Sequence, residues 1–117
     1  MQWSEVWLIN LDPTIGAEIK KTRPAVVVND DAIGLLPLRV IVPLTDWKNH
    51  YEIAPWMVRI SPTVSNGLAK LSAANAFQVR SVAQERFVKR LGQLAKSDMV
   101  AIGQALAVVL KIGAKEK

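Results

Sequence analysis

Arg23 stands directly before Pro24 in the stretch EIKKTRPAVVVNDD, residues 18–31, with Lys20 and Lys21 just upstream. Three cations against the head of an apolar valine run suggest that something anionic is held there. A residue preceding proline is pushed towards extended backbone, which gives the Arg23 side chain a fixed departure point. A guanidinium placed that way offers a bidentate fork suited to phosphate. The competing reading is a strand-end arginine paired with Glu18 or Asp46 at the surface.

The charge along the chain points the same way. The net charge is +5, yet residues 1–58 carry five Lys/Arg against seven Asp/Glu, whereas residues 59–96 carry seven basic groups against Glu85 alone. A basic segment of this kind suits a polyanion such as nucleic acid. Within it, Gln78 and Arg80 alternate with Val79, so on one strand both leave the same face, available to phosphates or base edges. Arg86, Lys89 and Arg90 read as a solvated basic surface that would attract RNA in a salt-dependent way. His50 is the only histidine, and an imidazole suits a general base. Its setting, DWKNHYE, is that of a polar loop, where a lone histidine is ordinarily just solvated. Trp3 and Trp7 read as packing residues or a dimer seam. Trp47 and Trp56 flank the polar loop, where they can pack, stack a base or line a groove for a partner's tail.

Strands must position these side chains. SEVWLINL (4–11) is apolar on both faces and reads as a central strand, and PAVVVN (24–29) as a second with Pro24 leading it. LRVIVPLT (38–45) is a third, in which Pro43 marks a bulge or an edge that needs no ladder donor. Residues 56–60 and 74–82 follow as strands, and 86–94 holds a short last one. After Ser97, a plausible N-cap, Met99, Ile102, Leu106 and Val109/Leu110 recur at helical spacing, until Gly113 stops the helix and the tail frays. Five or six short strands and one amphipathic helix predict a mainly β, small antiparallel barrel or strongly curled sheet with a C-terminal helix. The helix stripe is broad: one face should cover the barrel, and the excess favours dimerisation. Residues 12–22, DPTIGAEIKKT, form an eleven-residue connection. Hairpin loops usually have about two to five residues, so this one reads as a lid.

The totals exclude much else. At 117 residues, 50% hydrophobic and 21% charged, the chain reads as one globular domain over residues 1–117, with 113–117 as a frayed end. It contains no cysteine, which excludes disulfides and thiolate metal sites. The longest nearly apolar run, Met99 to Leu110, is 12 residues, too short to span a bilayer. With no signal-like N-terminus, the expectation is a cytoplasmic protein without a membrane partner.

The blocks VWLINLDPTIGAEIKKTRPAVVVNDDAI, VIVPLT and FQVRSV…RFVKRLGQL, followed by a final helix, resemble the MazF/PemK (Kid) family of toxins over residues 5 to about 110. The resemblance implies an SH3-like barrel of five to seven strands with a C-terminal helix, usually a homodimer. It also implies a metal-independent endoribonuclease, without cofactor, that cuts single-stranded RNA at short sequences and is neutralised by a cognate antitoxin. Arg23 in KTRP matches the family arginine assigned a catalytic role, and Thr45 closing VPLT matches the threonine or serine beside it. The 12–22 loop matches the segment that closes over RNA, and Gln78 with Arg80 matches the polar pair of the DQIRT-like motif near the substrate groove. Three positions depart from the pattern. Phe77 replaces a frequent acid, Asn75 an arginine that takes part in cleavage in Kid-like members, and Ala17 a histidine. The Arg–Thr arrangement survives.

Metal-free RNA cleavage uses the substrate's 2′-hydroxyl as nucleophile and leaves a cyclic phosphate and a 5′-hydroxyl. The protein must accept one proton, supply another and stabilise phosphoryl charge. Arg23, a strongly basic guanidinium, suits the charge and the leaving oxygen rather than the base. Thr45 can donate to a non-bridging oxygen. Glu18, Asp46 and His50 are candidate bases, with Lys20, Lys21, Gln78 and Arg80 as RNA contacts. Two other classes compete: a non-catalytic toxin like the CcdB gyrase poisons, and a barrel that binds RNA without cutting it.

Overall fold

The computed structural model describes residues 1–113. In chain order it forms β1 (Glu5–Asn10), β2 (Thr22–Val27), β3 (Leu38–Asp46), β4 (Met57–Ile60), β5 (Ser72–Asn75), β6 (Arg80–Ala83), β7 (Phe87–Gln93) and α1 (Lys96–Leu110). All strand pairings are antiparallel, in the order β4-β5-β3-β2-β1-β7, with β6 also on β3. The seven-stranded sheet curls around its core like a barrel but stays open, since no ladder joins β4 to β7.

The strand-period reading explains the layers. In β2, Val26 enters one core cluster while Ala25 and Val27 enter another on the opposite face. An uninterrupted apolar run is what a strand buried on both sides requires. β1 does the same with Val6 on one face and Trp7 and Ile9 on the other. The helix closes the first face: Met99 and Ile102 join Val6, Val26, Val42 and Leu44, with Leu106 packed alongside.

β3 is the hub. Its first half pairs β6 through Leu38–Ile41, and its end pairs β5 through Leu44–Asp46. Pro43 falls in the gap between those two ladders, the kind of place expected for a residue without an N–H donor.

Three expectations are corrected. The strand over residues 74–82 is broken: Asn75 Oδ1 accepts the Phe77 N–H at 3.1 Å, and residues Ala76–Gln78 form a 3-10 turn between β5 and β6. Asparagine offers the backbone a local alternative to the ladder, which period counting does not detect. Gln78 and Arg80 therefore do not share one strand face. At the helix, Ser97 is not the cap; Ala95 occupies that position without a side-chain cap bond. The C-terminal stop is Lys111 rather than Gly113. Lys111 adopts φ 55°, ψ 45°, and the Ile112 N–H bonds back to the Ala107 carbonyl at 2.8 Å, a Schellman closure. The fraying expected of residues 114–117 lies outside the described residues.

Candidate active site

Arg23 is half-buried near the head of β2, opposite Ile9 of β1. Its Nε donates to the Lys20 carbonyl at 3.3 Å, which leaves the Nη groups uncommitted. Among the described residues it makes no ion pair. Glu18 instead accepts the Ile15 N–H at 2.8 Å, and Asp46 faces Lys70 Nζ at 3.8 Å. The surface-pair reading of Arg23 is thus not realised.

Thr45 lies near the end of β3. The β2–β3 ladder runs to Ala25 opposite Pro43, and the same register carried two residues further sets Arg23 across from Thr45. Both line a groove of about 290 Å³ with Asp46, Lys48 and Tyr51. Of the three candidate bases, Asp46 alone lines this groove. Glu18 lies in a neighbouring groove of about 490 Å³, bounded by Leu11, Ala17, Ile19, Pro43, Phe77, Gln78, Val79 and Arg80. His50 lines neither; it packs edge-on against Tyr51 with ring centroids 4.6 Å apart. Pro43 and Thr45 are two residues apart on β3 and so leave the same face, which sets the two grooves side by side along that strand.

The 12–22 loop is fastened rather than loose. Gln78 Oε1 accepts the Ile19 N–H at 2.6 Å and its Nε2 donates to the Ala17 carbonyl at 3.1 Å. Arg80 Nη1 donates to the Leu11 carbonyl at 3.3 Å. Arg86 Nη1 donates to the Asn10 carbonyl at 3.2 Å and to that of Asp12. At the loop exit Lys21 has φ 70°, and its N–H reaches Asp12 Oδ1 at 3.0 Å. The Lys20 and Lys21 side chains are exposed and make no ion pair among the described residues.

Sequence reasoning missed Lys48 and Tyr51, and it read Arg86 as surface charge alone. The polar-looking loop DWKNHYE folds into a 3-10 turn, Asn49–Ile53, that carries Tyr51 to the groove wall. Trp47 packs edge-on behind Tyr51 at 5.8 Å and is itself capped by the Arg59 guanidinium at 5.6 Å. The interleaving of Trp47, Lys48 and Tyr51 directly after the β3 end was the available signal. Arg86 is not the solvated cation expected, and Arg90 meets Glu5 at 3.3 Å. Of the other tryptophans, Trp7 packs on Phe87 and Trp56 on Phe77, while Trp3 stays 40% exposed.

Among the described residues one carboxyl is strongly perturbed, and it does not line the groove. Burial alone would raise the Glu5 pKa, but hydrogen bonds from the Gln2 N–H, Trp7 Nε1 and the amino terminus outweigh it and lower it to about 2. Its role is to tie the chain start to β1.

The comparisons agree on one family. The model for PemK-like, MazF-like toxins of type II toxin–antitoxin systems matches residues 3–110. Endoribonuclease MazF9 of Mycobacterium tuberculosis is 32% identical over 118 residues, covering 96% of this chain and 98% of the relative. Endoribonuclease PemK of Escherichia coli is 30% identical over 112 residues, covering 94% and 82%. Among solved structures, an endoribonuclease in complex with its cognate antitoxin from a mycobacterial species aligns with a TM-score of 0.79 at 20% identity, over 98% of this chain and 99% of that one. MazF from Deinococcus radiodurans aligns at 0.78 and 21% identity, over 95% and 96%. These two likenesses speak to the fold, and they match the curled sheet with its terminal helix. The chain belongs to the PemK-like, MazF-like toxins of type II toxin–antitoxin systems.

Proposed function

We propose that this chain is an endoribonuclease toxin that cuts single-stranded RNA through the 2′-hydroxyl, and that a cognate antitoxin neutralises it. The observation that carries the reading is the Arg23–Thr45 groove. An arginine with uncommitted Nη donors shares it with a hydroxyl, a carboxylate and the Lys48 ammonium. Relatives named as endoribonucleases over nearly the whole chain support it.

In this reading Asp46 takes the 2′-hydroxyl proton as the 2′-oxygen attacks phosphorus. Arg23 and Thr45 donate to the phosphoryl oxygens, each such donor contributing roughly 3 kcal/mol by analogy with oxyanion holes. The P–O5′ bond breaks, and the departing 5′-oxygen takes a proton from Arg23. Products are a 2′,3′-cyclic phosphate and a 5′-hydroxyl. Lys20, Lys21 and Lys48 draw the backbone in, and Tyr51 offers a face for a flanking base.

The unit is residues 1–117 acting as one domain, supported by the family match over 3–110. It works in the cytoplasm, where messenger RNA is exposed; no described helix is long and apolar enough to cross a membrane. The outer helix face, with Val100, Val108 and Leu110 each more than half exposed, supports a homodimer.

The test is digestion of a long, defined single-stranded RNA in EDTA, with mapping of cut positions and end groups. Discrete cuts with cyclic-phosphate ends, lost in Arg23→Ala, are expected. Absence of cuts by a folded sample would leave an RNA-binding barrel, or a gyrase-directed toxin, as the next reading to test.

A further inference from the structure

The Gln78 amide is occupied at both ends by the loop backbone: it receives the Ile19 N–H at 2.6 Å and gives its own N–H to the Ala17 carbonyl at 3.1 Å. Two bonds at opposite poles of one amide fix its rotamer and the loop segment together. The next carbonyl after Ile19 is that of Lys20, and it accepts the Arg23 Nε–H at 3.3 Å. A continuous series of contacts therefore runs from Gln78, through the backbone of residues 17–20, to the guanidinium in the Arg23–Thr45 groove. Pro24 restrains the Arg23 backbone, and the Nε contact restrains the far end of its side chain. Arg80 and Arg86 secure the other end of the loop at Asn10, Leu11 and Asp12. Removing the amide would release the segment that holds Nε, while Arg23 itself stayed on β2.

We infer that Gln78 is a positioning residue for Arg23, acting through the loop backbone rather than as a contact to RNA. The inference rests on the reading of Arg23 as the phosphate-stabilising group. A catalytic donor must sit within a fraction of an ångström of its productive place, and displacement by about 1 Å can cost up to roughly a hundredfold in rate. Gln78 lies one groove away from the phosphate, so its loss should fall on the chemical step and not on binding.

The experiment compares Gln78→Ala and Gln78→Glu in the wild-type and Arg23→Lys backgrounds. The substrate is an RNA carrying a mapped cut site; binding is read on the same RNA with a single 2′-deoxy at the cut. Lysine keeps a cation but has no Nε–H placed to bond the Lys20 carbonyl. Expected for Gln78→Ala is a fall in kcat of about tenfold with Kd within about threefold. Gln78→Glu should also lose rate, because a carboxylate cannot donate to the Ala17 carbonyl. Both losses should vanish in the Arg23→Lys background, as coupled residues require. A rise in Kd with kcat intact, or equal losses in both backgrounds, would overturn the inference. Arg23→Lys cutting at the full wild-type rate would instead overturn the role of Arg23 itself. An independent readout is the Arg23 Nε–H resonance. It should lose its hydrogen-bonded shift in folded Gln78→Ala, and an unchanged signal would overturn the positioning role whatever the kinetics.

Discussion

Asp46→Asn separates the proposed base from its two rivals. Asp46 closes β3 opposite Ser72, and its carboxylate meets Lys70 at 3.8 Å with both side chains more than 60% exposed. An ion pair that open is worth about 0–1 kcal/mol, so the substitution should leave the melting temperature within about 4 °C of wild type. Asparagine keeps the size and removes the proton acceptor. General-base catalysis contributes about 10²–10⁴-fold, so kcat should fall at least a hundredfold, about 2.7 kcal/mol in the barrier. Lys70→Ala is the matched control, since it removes the partner and spares the acceptor; its rate should stay within about threefold, the surface pair being weak. Single-turnover cleavage of a defined RNA at saturating enzyme isolates the chemical step. If Asp46→Asn cuts within a few-fold of wild type, the proton goes elsewhere. Glu18→Gln and His50→Gln then become the informative variants.

Three other outcomes are open to simple measurement. Lys20→Ala with Lys21→Ala should weaken RNA binding and reduce the slope of log K against log salt by about 1.4, two single-strand phosphate contacts' worth; an unchanged slope would remove both lysines from the interface. Glu5 has its pKa lowered from 4.5 to about 2. A depressed carboxyl stabilises the fold fully above its unfolded value and loses that stability as pH falls through the folded value. Wild type should therefore lose up to about 3 kcal/mol more than Glu5→Gln between pH 4.5 and 2, and parallel acid-denaturation curves would contradict the assignment. Lys111→Gly should raise stability in urea by about 0.5 kcal/mol, because a left-handed non-glycine residue costs roughly 1–2 kcal/mol and glycine's freer unfolded chain returns part of the gain. A lower midpoint would mean that the lysine side chain supports the helix end.

Much of the fold could be read in the chain because burial leaves a period in the sequence. The valine run after Pro24 marks a strand covered on both faces, and Met99, Ile102 and Leu106 mark the helix face that covers the sheet. The Arg23–Thr45 partnership came from the matching motifs, and the β2–β3 register shows why residues 22 apart share a groove. What was not legible depended on single polar atoms. Asn75 diverts the chain into a turn by one side-chain bond, which splits the strand expected over 74–82 and turns Gln78 towards the loop. Lys111 closes the helix in a conformation that glycine was expected to supply. Tyr51 reaches the groove only because DWKNHYE winds into a 3-10 turn, and Arg86 is drawn from solvent by carbonyls 74 and 76 positions away. Such contacts join distant segments without any periodicity that would announce them.

The central claim is that the Arg23–Thr45 groove cuts RNA with the substrate's own 2′-hydroxyl. The most direct measurement replaces a single ribose by 2′-deoxyribose immediately 5′ of a mapped cut and follows cleavage and binding together. The account predicts that this cut disappears while Kd stays within about threefold, the phosphate contacts being intact, and that neighbouring cuts persist. Continued cleavage at the modified position, leaving a 5′-phosphate, would contradict it.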